Sequence, residues 1–287
     1  MDWGKAKNYI ILFLMVLNLF LFVCNILSDR KYTIGTEQSD AIKTIMEKKN
    51  ITFSSEIPVD YKPMQQINFS ECSYDEINIQ KIFFSDSEDI QRSSDFMKTL
   101  LISGDKKVSI YSDRVEFESS NIDLTSGFTE KNVTDICDGY VDKVSDYYSG
   151  LTKYKADLSS DGLSYQVEYI QKYKGKLIFN NHILFNVYKS GTIKAEMSYF
   201  PIKGYGSTVD ICSADEALFI FMGKVDEIFV GQDVNIKRIE RGYYFGDFEK
   251  GSNIVATPYY RIEVSGADQM FFVNAYNRTL VTKEYFK

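Results

Sequence analysis

The strongest constraint on this chain is an apolar run over residues 9–27, which holds 19 residues without a charge or a proline. As a helix rising 1.5 Å per residue it measures roughly 28 Å, close to the ~30 Å hydrocarbon thickness of a bilayer. In lipid every backbone N–H and C=O must find its partner inside the segment, so a single run of this kind spans as a helix or not at all. A cleavable export signal has a shorter apolar stretch, about 7–15 residues, ending at small residues. Here the exit reads Val23-Cys24-Asn25-Ile26-Leu27-Ser28-Asp29 and offers no such site. Cys24 raises a lipid-attachment alternative, but Val23 is bulky where such signals carry a small residue. The sequence predicts an uncleaved, single-pass anchor over residues 1–28.

Charge flanking the run gives almost a tie for orientation, with Lys5 and Lys7 on one side and Arg30 and Lys31 on the other. Long following domains cross largely regardless of charge, and few residues precede the run. The expected topology is a cytoplasmic N-terminus and a large domain outside the cell membrane. Within the run, Asn8, Ile11, Met15, Asn18, Phe22 and Asn25 are spaced three or four apart and lie along one seam of a helix. Asn8 and Asn25 suit the two membrane interfaces. Asn18 falls mid-membrane, where an amide facing lipid has no partner but one facing another helix does, for roughly 0.5–2 kcal/mol. Ile11, Met15, Asn18, Phe22 and Asn25 are therefore the expected contact residues for a second transmembrane helix.

The remaining chain is acidic. The formal net charge is −7, and the anchor itself is slightly positive. That argues against nucleic acid and against electrostatic docking on an anionic surface. The 21 Tyr and 21 Phe beside four Pro suit strands with aromatic faces. Helix periodicity is expected over 36–49 and most clearly over 129–149, where Cys137 points inward. Ser213 and Glu216 form a capping box opening a helix toward 222 or 229. Strands are expected over 66–69, 77–84, 108–111, 114–118, 154–158, 164–173, 176–179, 183–188, 192–199, 234–241, 242–248, 257–264 and 269–276, with a helix over 87–101. Asn180-Asn181 reads as a turn and Gly204-x-Gly206 as a linker turn. The pattern of helix followed by strands recurs, giving an α+β fold of helix-plus-antiparallel-sheet modules. The divisions are 1–28 anchor, 29–125 first module, 126–205 second module and 206–287 C-terminal module.

Chemistry is scarce. There is no nucleophile motif, no phosphate loop and no Cys-x-x-Cys, and His182 is the single histidine, read as a surface or turn residue. Asp86, Glu88 and Asp89, and Asp157 with Asp161, lack the alternating spacing of a calcium loop and read as solvated turns. Cys72, Cys137 and Cys212 are too few for a disulfide framework; buried thiols are expected, with room for one bridge. No catalytic, metal or cofactor residues are assigned, and an enzyme is not expected.

The opening Met1-Asp2-Trp3-Gly4-Lys5-Ala6-Lys7-Asn8, running into Leu17-Asn18-Leu19-Phe20-Leu21, resembles the start of the YycI (WalI) family of two-component-system regulatory proteins. The tail Thr257-Pro258-Tyr259-Tyr260-Arg261-Ile262-Glu263, with Phe271-Phe272-Val273-Asn274-Ala275-Tyr276, resembles that family's closing strand pair. The two ends carry the resemblance; residues 55–205 carry no motif of it. It implies a noncatalytic regulator in Gram-positive bacteria, acting with a YycH-like protein on the sensor histidine kinase YycG (WalK) through membrane helices, with output in cell-wall metabolism. The family offers no catalytic residue to carry over. Two other classes are an extracellular ligand- or peptide-binding module, drawing on tyrosines near 165–173 or on Tyr243 and Tyr244, and an anchored inhibitor or scaffold of PepSY type.

Overall fold

The computed structural model describes residues 3–85, 87–249, 251–267 and 269–284. Helix α1 (Trp3–Lys31) is followed by α2 (Thr36–Glu47) and strands β1 (Ile51–Phe53) and β2 (Met64–Phe69). Next come α3 (Glu76–Phe83), β3 (Gln91–Ser94), β4 (Thr99–Ser103), β5 (Lys106–Ile110) and β6 (Val115–Ser119). Helix α4 (Glu130–Ser145) leads into β7 (Leu151–Leu158), β8 (Ser164–Tyr173), β9 (Lys176–Tyr188), β10 (Ile193–Ser198) and β11 (Ile202–Val209). The chain closes with α5 (Ala214–Ile228), β12 (Val234–Tyr244), β13 (Ile254–Val264), β14 (Gln269–Asn274) and β15 (Leu280–Glu284). This is the mixed α+β architecture expected, with strand pairs that are antiparallel except β1–β12 and β9–β12.

The strands form one hydrogen-bonded network with two wings. In the first, β3 to β10 carry α3 and α4 on one face over a core that includes Ile79, Phe83, Phe117, Val133, Cys137 and Phe185. In the second, β1, β2 and β12 to β14 carry α2 and α5 over a core that includes Met46, Ile67, Leu218, Phe221, Tyr260 and Phe271. This second core joins segments far apart in sequence, since residues 34–69 pack with residues 200–275. The wings share β9, whose Leu177 and Ile178 pair in parallel with Gly242 and Tyr243 of β12. Their helix-distal faces then meet: Ile170, Phe179, Tyr259, Met270 and Phe272 form a third cluster between them. The result is helix, sheet, sheet, helix where the wings overlap, while the helix-distal face of β5, β6 and β10 stays open, with Glu118 and Lys194 at the surface.

Several local expectations are corrected. Residues 76–83 are a helix, not a strand. Asp75 accepts the Ile77 N–H at 2.8 Å as an N-cap, and Ile79, Ile82 and Phe83 are buried at helical spacing while Ile77 is 61% exposed. The helix expected over 87–101 is the β3–β4 hairpin, turned by Asp95, which accepts the Met97 and Lys98 N–H groups. Asn180-Asn181 is not a turn: β9 continues through both buried asparagines, with a bulge that leaves residues 179–181 out of the ladder to β8. Gly204 and Gly206 lie inside β11, where a Cβ on Gly206 would press Gln66 at 3.3 Å. Gly242 does not separate two strands but sits within β12, because an added Cβ would meet the Leu177 carbonyl oxygen at 2.6 Å. Helix α5 starts at the expected place, yet the Ser213 side chain makes no capping bond. Helix α4, strand β8 and the β5–β6 hairpin lie where periodicity put them.

Candidate functional site

Two features outside the packed cores are candidates for function: the anchor and a cleft between the wings. Helix α1 contains a 20-residue apolar span, Ala6–Asn25, with mean hydropathy 2.1 and none of it covered by the rest of the protein. It is long and apolar enough to cross a membrane. Ile11, Met15 and Phe22 are 43%, 64% and 63% exposed, and Asn18 and Asn25 are exposed too. At about 100° per residue these five fall within an arc of about 80°. The helix brings all of the expected seam residues to one face, and no described residue of the body occupies it. Phe13 and Phe20 mark the opposite face, so the asparagines, not hydrophobicity, distinguish the seam.

What sequence reasoning missed is how tightly this helix is joined to the body. Arg30 and Lys31 close its last turn, where cations favour the negative helix end. The Tyr61 hydroxyl donates to the Lys31 carbonyl at 2.9 Å, and the Tyr61 N–H donates to the Tyr32 carbonyl. The Ile34 N–H donates to the Val59 carbonyl, with Thr33 and Asp60 bridged antiparallel between them. Tyr32 and Tyr61 meet edge to face at 5.9 Å, and Ile34 is buried in the second wing. Arg241 of β12 holds Asp60 by its carboxylate at 2.6 Å and by its carbonyl oxygen. The anchor is clamped, not loosely tethered. No periodicity in residues 32–61 signals a two-residue ladder of this kind.

The cleft has a volume of about 780 Å³, within the ~300–1,000 Å³ range of ligand sites. Its floor depends on the two buried asparagines of β9. Asn180 accepts the Phe245 N–H at 3.0 Å and donates to the Phe245 carbonyl at 2.9 Å, so its amide acts as an extra peptide group. Asn181 does the same for Phe200, at 2.7 and 2.8 Å. Tyr74 braces the first-wing side by donating to the Asp113 carbonyl and accepting the Tyr199 N–H. Phe200, Tyr244 and Phe248 supply aromatic walls, and Glu71, Asp113 and Asp247 stand at the mouth with Lys283. Tyr244 stacks on Phe272 at 4.3 Å, so one of its faces is spent on packing.

Behind the cleft, the wings are fastened by ion pairs. Arg261 of β13, 1% exposed, forms a two-pronged pair with Glu168 of β8 at 2.5 and 3.2 Å and also reaches Glu240 of β12. Lys155 of β7 meets Glu263 of β13 at 2.6 Å, and Asp157 of β7 meets Arg238 of β12 at 2.6 Å. Asp157 is thus no solvated turn residue. Burial raises its carboxyl, but the Arg238 hydrogen bond and charge, with Lys237 and Lys155, outweigh that and hold it near about 2. Asp161 does sit in a turn, accepting the Leu163 N–H. Of the other acidic cluster, Asp86 lies outside the described residues and Glu88 pairs with Lys106 at 2.7 Å.

His182 is not at the surface. It is 1% exposed in β9, 3.9 Å from Glu196, which also meets Lys283 of β15 at 3.5 Å. All four cysteines are free thiols. Burial pushes Cys72 and Cys212 up to about 11 and Cys137 higher, which leaves none of the three as a ready nucleophile. Among the described residues no group of three or more His, Cys, Asp or Glu side chains is placed to hold a metal.

An uncovered helix long and apolar enough to cross a membrane, clamped to an α+β body, fits a membrane-anchored protein. The sequence model of the YycI protein family matches residues 30–276, and the chain belongs to that family. Membership places it among proteins of two-component-system regulation, a regulatory and not a catalytic family. A search of curated proteins returned no match. Among solved structures, an uncharacterized protein from Eubacterium rectale is similar, with 11% identity, a TM-score of 0.49, and 81% of this chain and 90% of that one covered.

Proposed function

We propose that this protein is a noncatalytic regulator of a YycG/WalK-type sensor histidine kinase, working from the cell membrane beside a YycH-like partner. Its N-terminus faces the cytoplasm and its body lies outside. The observation that carries this reading is the α1 seam: Ile11, Met15, Asn18, Phe22 and Asn25 share one bare face of a helix whose own protein never touches it. In hydrocarbon an asparagine on such a face gains from a partner helix and from little else. The clamp at residues 32–34 and 59–61 supports a role in which the body and the helix move together, because a change in one repositions the other.

The test is membrane co-purification of the kinase with the intact chain and with a chain whose residues 1–28 are replaced by an unrelated anchor. The reading predicts loss of the kinase with the swap. Retention at the native level would place recognition in the body and overturn it. A second reading, a module that binds an external ligand, is favoured only by the cleft.

A further inference from the structure

The cleft is not used by the anchor-centred reading, and it is a built site. Four observations bear on what it takes. Among the described residues its lining carries Glu71, Asp113 and Asp247 with Lys283, and Lys283 is already paired with Glu196. It continues, through the shared Asp113, Ser198 and Lys283, into a second depression of about 240 Å³ lined by Glu116, Glu196 and Glu284 with Arg114. Both depressions are therefore acidic among their described lining residues, and they adjoin. The walls are aromatic and their main chain is pinned by Asn180 and Asn181, so the shape is formed in advance.

The fourth observation shows the chemistry at work inside the protein. Arg114, at the junction, lies over the Tyr111 ring at 4.2 Å, pairs with Glu116 at 2.8 Å and reaches Asp113 at 3.3 Å. A guanidinium held between a ring and carboxylates is the arrangement that an acidic, aromatic-walled trough offers to a ligand cation. Asp247 is exposed beside half-buried Phe248 and sets a second carboxylate next to a ring in the cleft lining.

We infer that the trough between the wings binds an extended peptide segment bearing Arg or Lys beside an apolar or aromatic residue. Cationic side chains of the segment meet Asp247 and Asp113, the apolar residue enters the cleft against Phe248 and Phe200, and the chain continues toward Glu116 and Glu284. A single small cation fits the charge but leaves most of the 780 Å³ empty. The inference does not depend on the anchor seam.

The test uses the full chain in lipid nanodiscs and a fluorescent decapeptide of Gly, Ser and Phe with two arginines, alongside a twin whose arginines are glutamates. Fluorescence anisotropy should give at least tenfold tighter binding of the arginine peptide. Asp113→Asn with Asp247→Asn should weaken it at least tenfold at unchanged thermal midpoint, while Glu227→Gln on α5 should leave it unchanged. Equal binding of the twins, or equal weakening by the α5 variant, would reduce the effect to bulk charge and overturn the site. Displacement of the peptide by an equal concentration of arginine amide would overturn the peptide class in favour of a small cation.

Discussion

Arg261 is the residue on which the two wings most depend. Its guanidinium is shut from solvent between Glu168 and Glu240, over the ring of Phe179 at 4.8 Å. Truncating one partner of a buried pair strands the others, at a cost of about 3–5 kcal/mol. Arg261→Ala is expected to lose about that much in chemical denaturation, whereas Arg278→Ala, which removes an exposed pair with Glu216, should lose less than about 1 kcal/mol. The carboxylates of the network set its pH response. Asp157, Glu168 and Glu263 are all held below their ordinary values. A depressed carboxyl contributes stability that is complete above its unfolded value, 3.8 for Asp157, and is lost as pH falls through the folded one, about 2. Unfolding measured from pH 5 to pH 2 should show stability falling below about pH 4. In Asp157→Asn that fall should be shallower and the neutral-pH stability lower. Gly242→Ala should destabilise by about 1–3 kcal/mol, since the new methyl meets β9 backbone and the Phe179 ring, neither of which can yield cheaply.

At the scale of elements, the clamp and the anchor make separate predictions. Removing the Arg241 guanidinium takes away the grip on Asp60. Arg241→Ala should speed amide exchange at Ile34 and Tyr61 about tenfold or more, and leave β8 and β9 protected. Elements were legible in sequence where a local signal dominated, as in α4 with its buried Val133, Cys137, Val141 and Val144 at helical spacing, and β8, set off by the Ser160-Asp161-Gly162 turn signal. They were illegible where tertiary partners overrode local signals. Asn180-Asn181 has turn chemistry, but its amides are consumed by the main chains of Phe245 and Phe200, which are 65 and 19 residues away. The residues of α3 read equally as strand, because Ile77, Ile79 and Phe83 alternate; only the cap on Asp75 and the packing on α4 decide. The seam was legible because an asparagine in an apolar helix is costly. The cleft was not, since its lining comes from six separate stretches, near 71, 111, 180, 200, 245 and 283.

The whole molecule is a two-winged body fixed to one bare helix, and its function turns on whether that helix recognises others or only holds the body in place. The family supplies the regulatory setting, and the geometry supplies the face. The direct measurement is site-specific photo-crosslinking in native membranes, with a photoreactive residue placed in turn at Ile11, Met15, Asn18 and Phe22, and at Phe13 and Phe20 on the far side. The account predicts adducts to the sensor kinase or its companion from the first four positions and few from the last two. Equal yields all round the helix, or none from any position while the kinase still co-purifies, would contradict it.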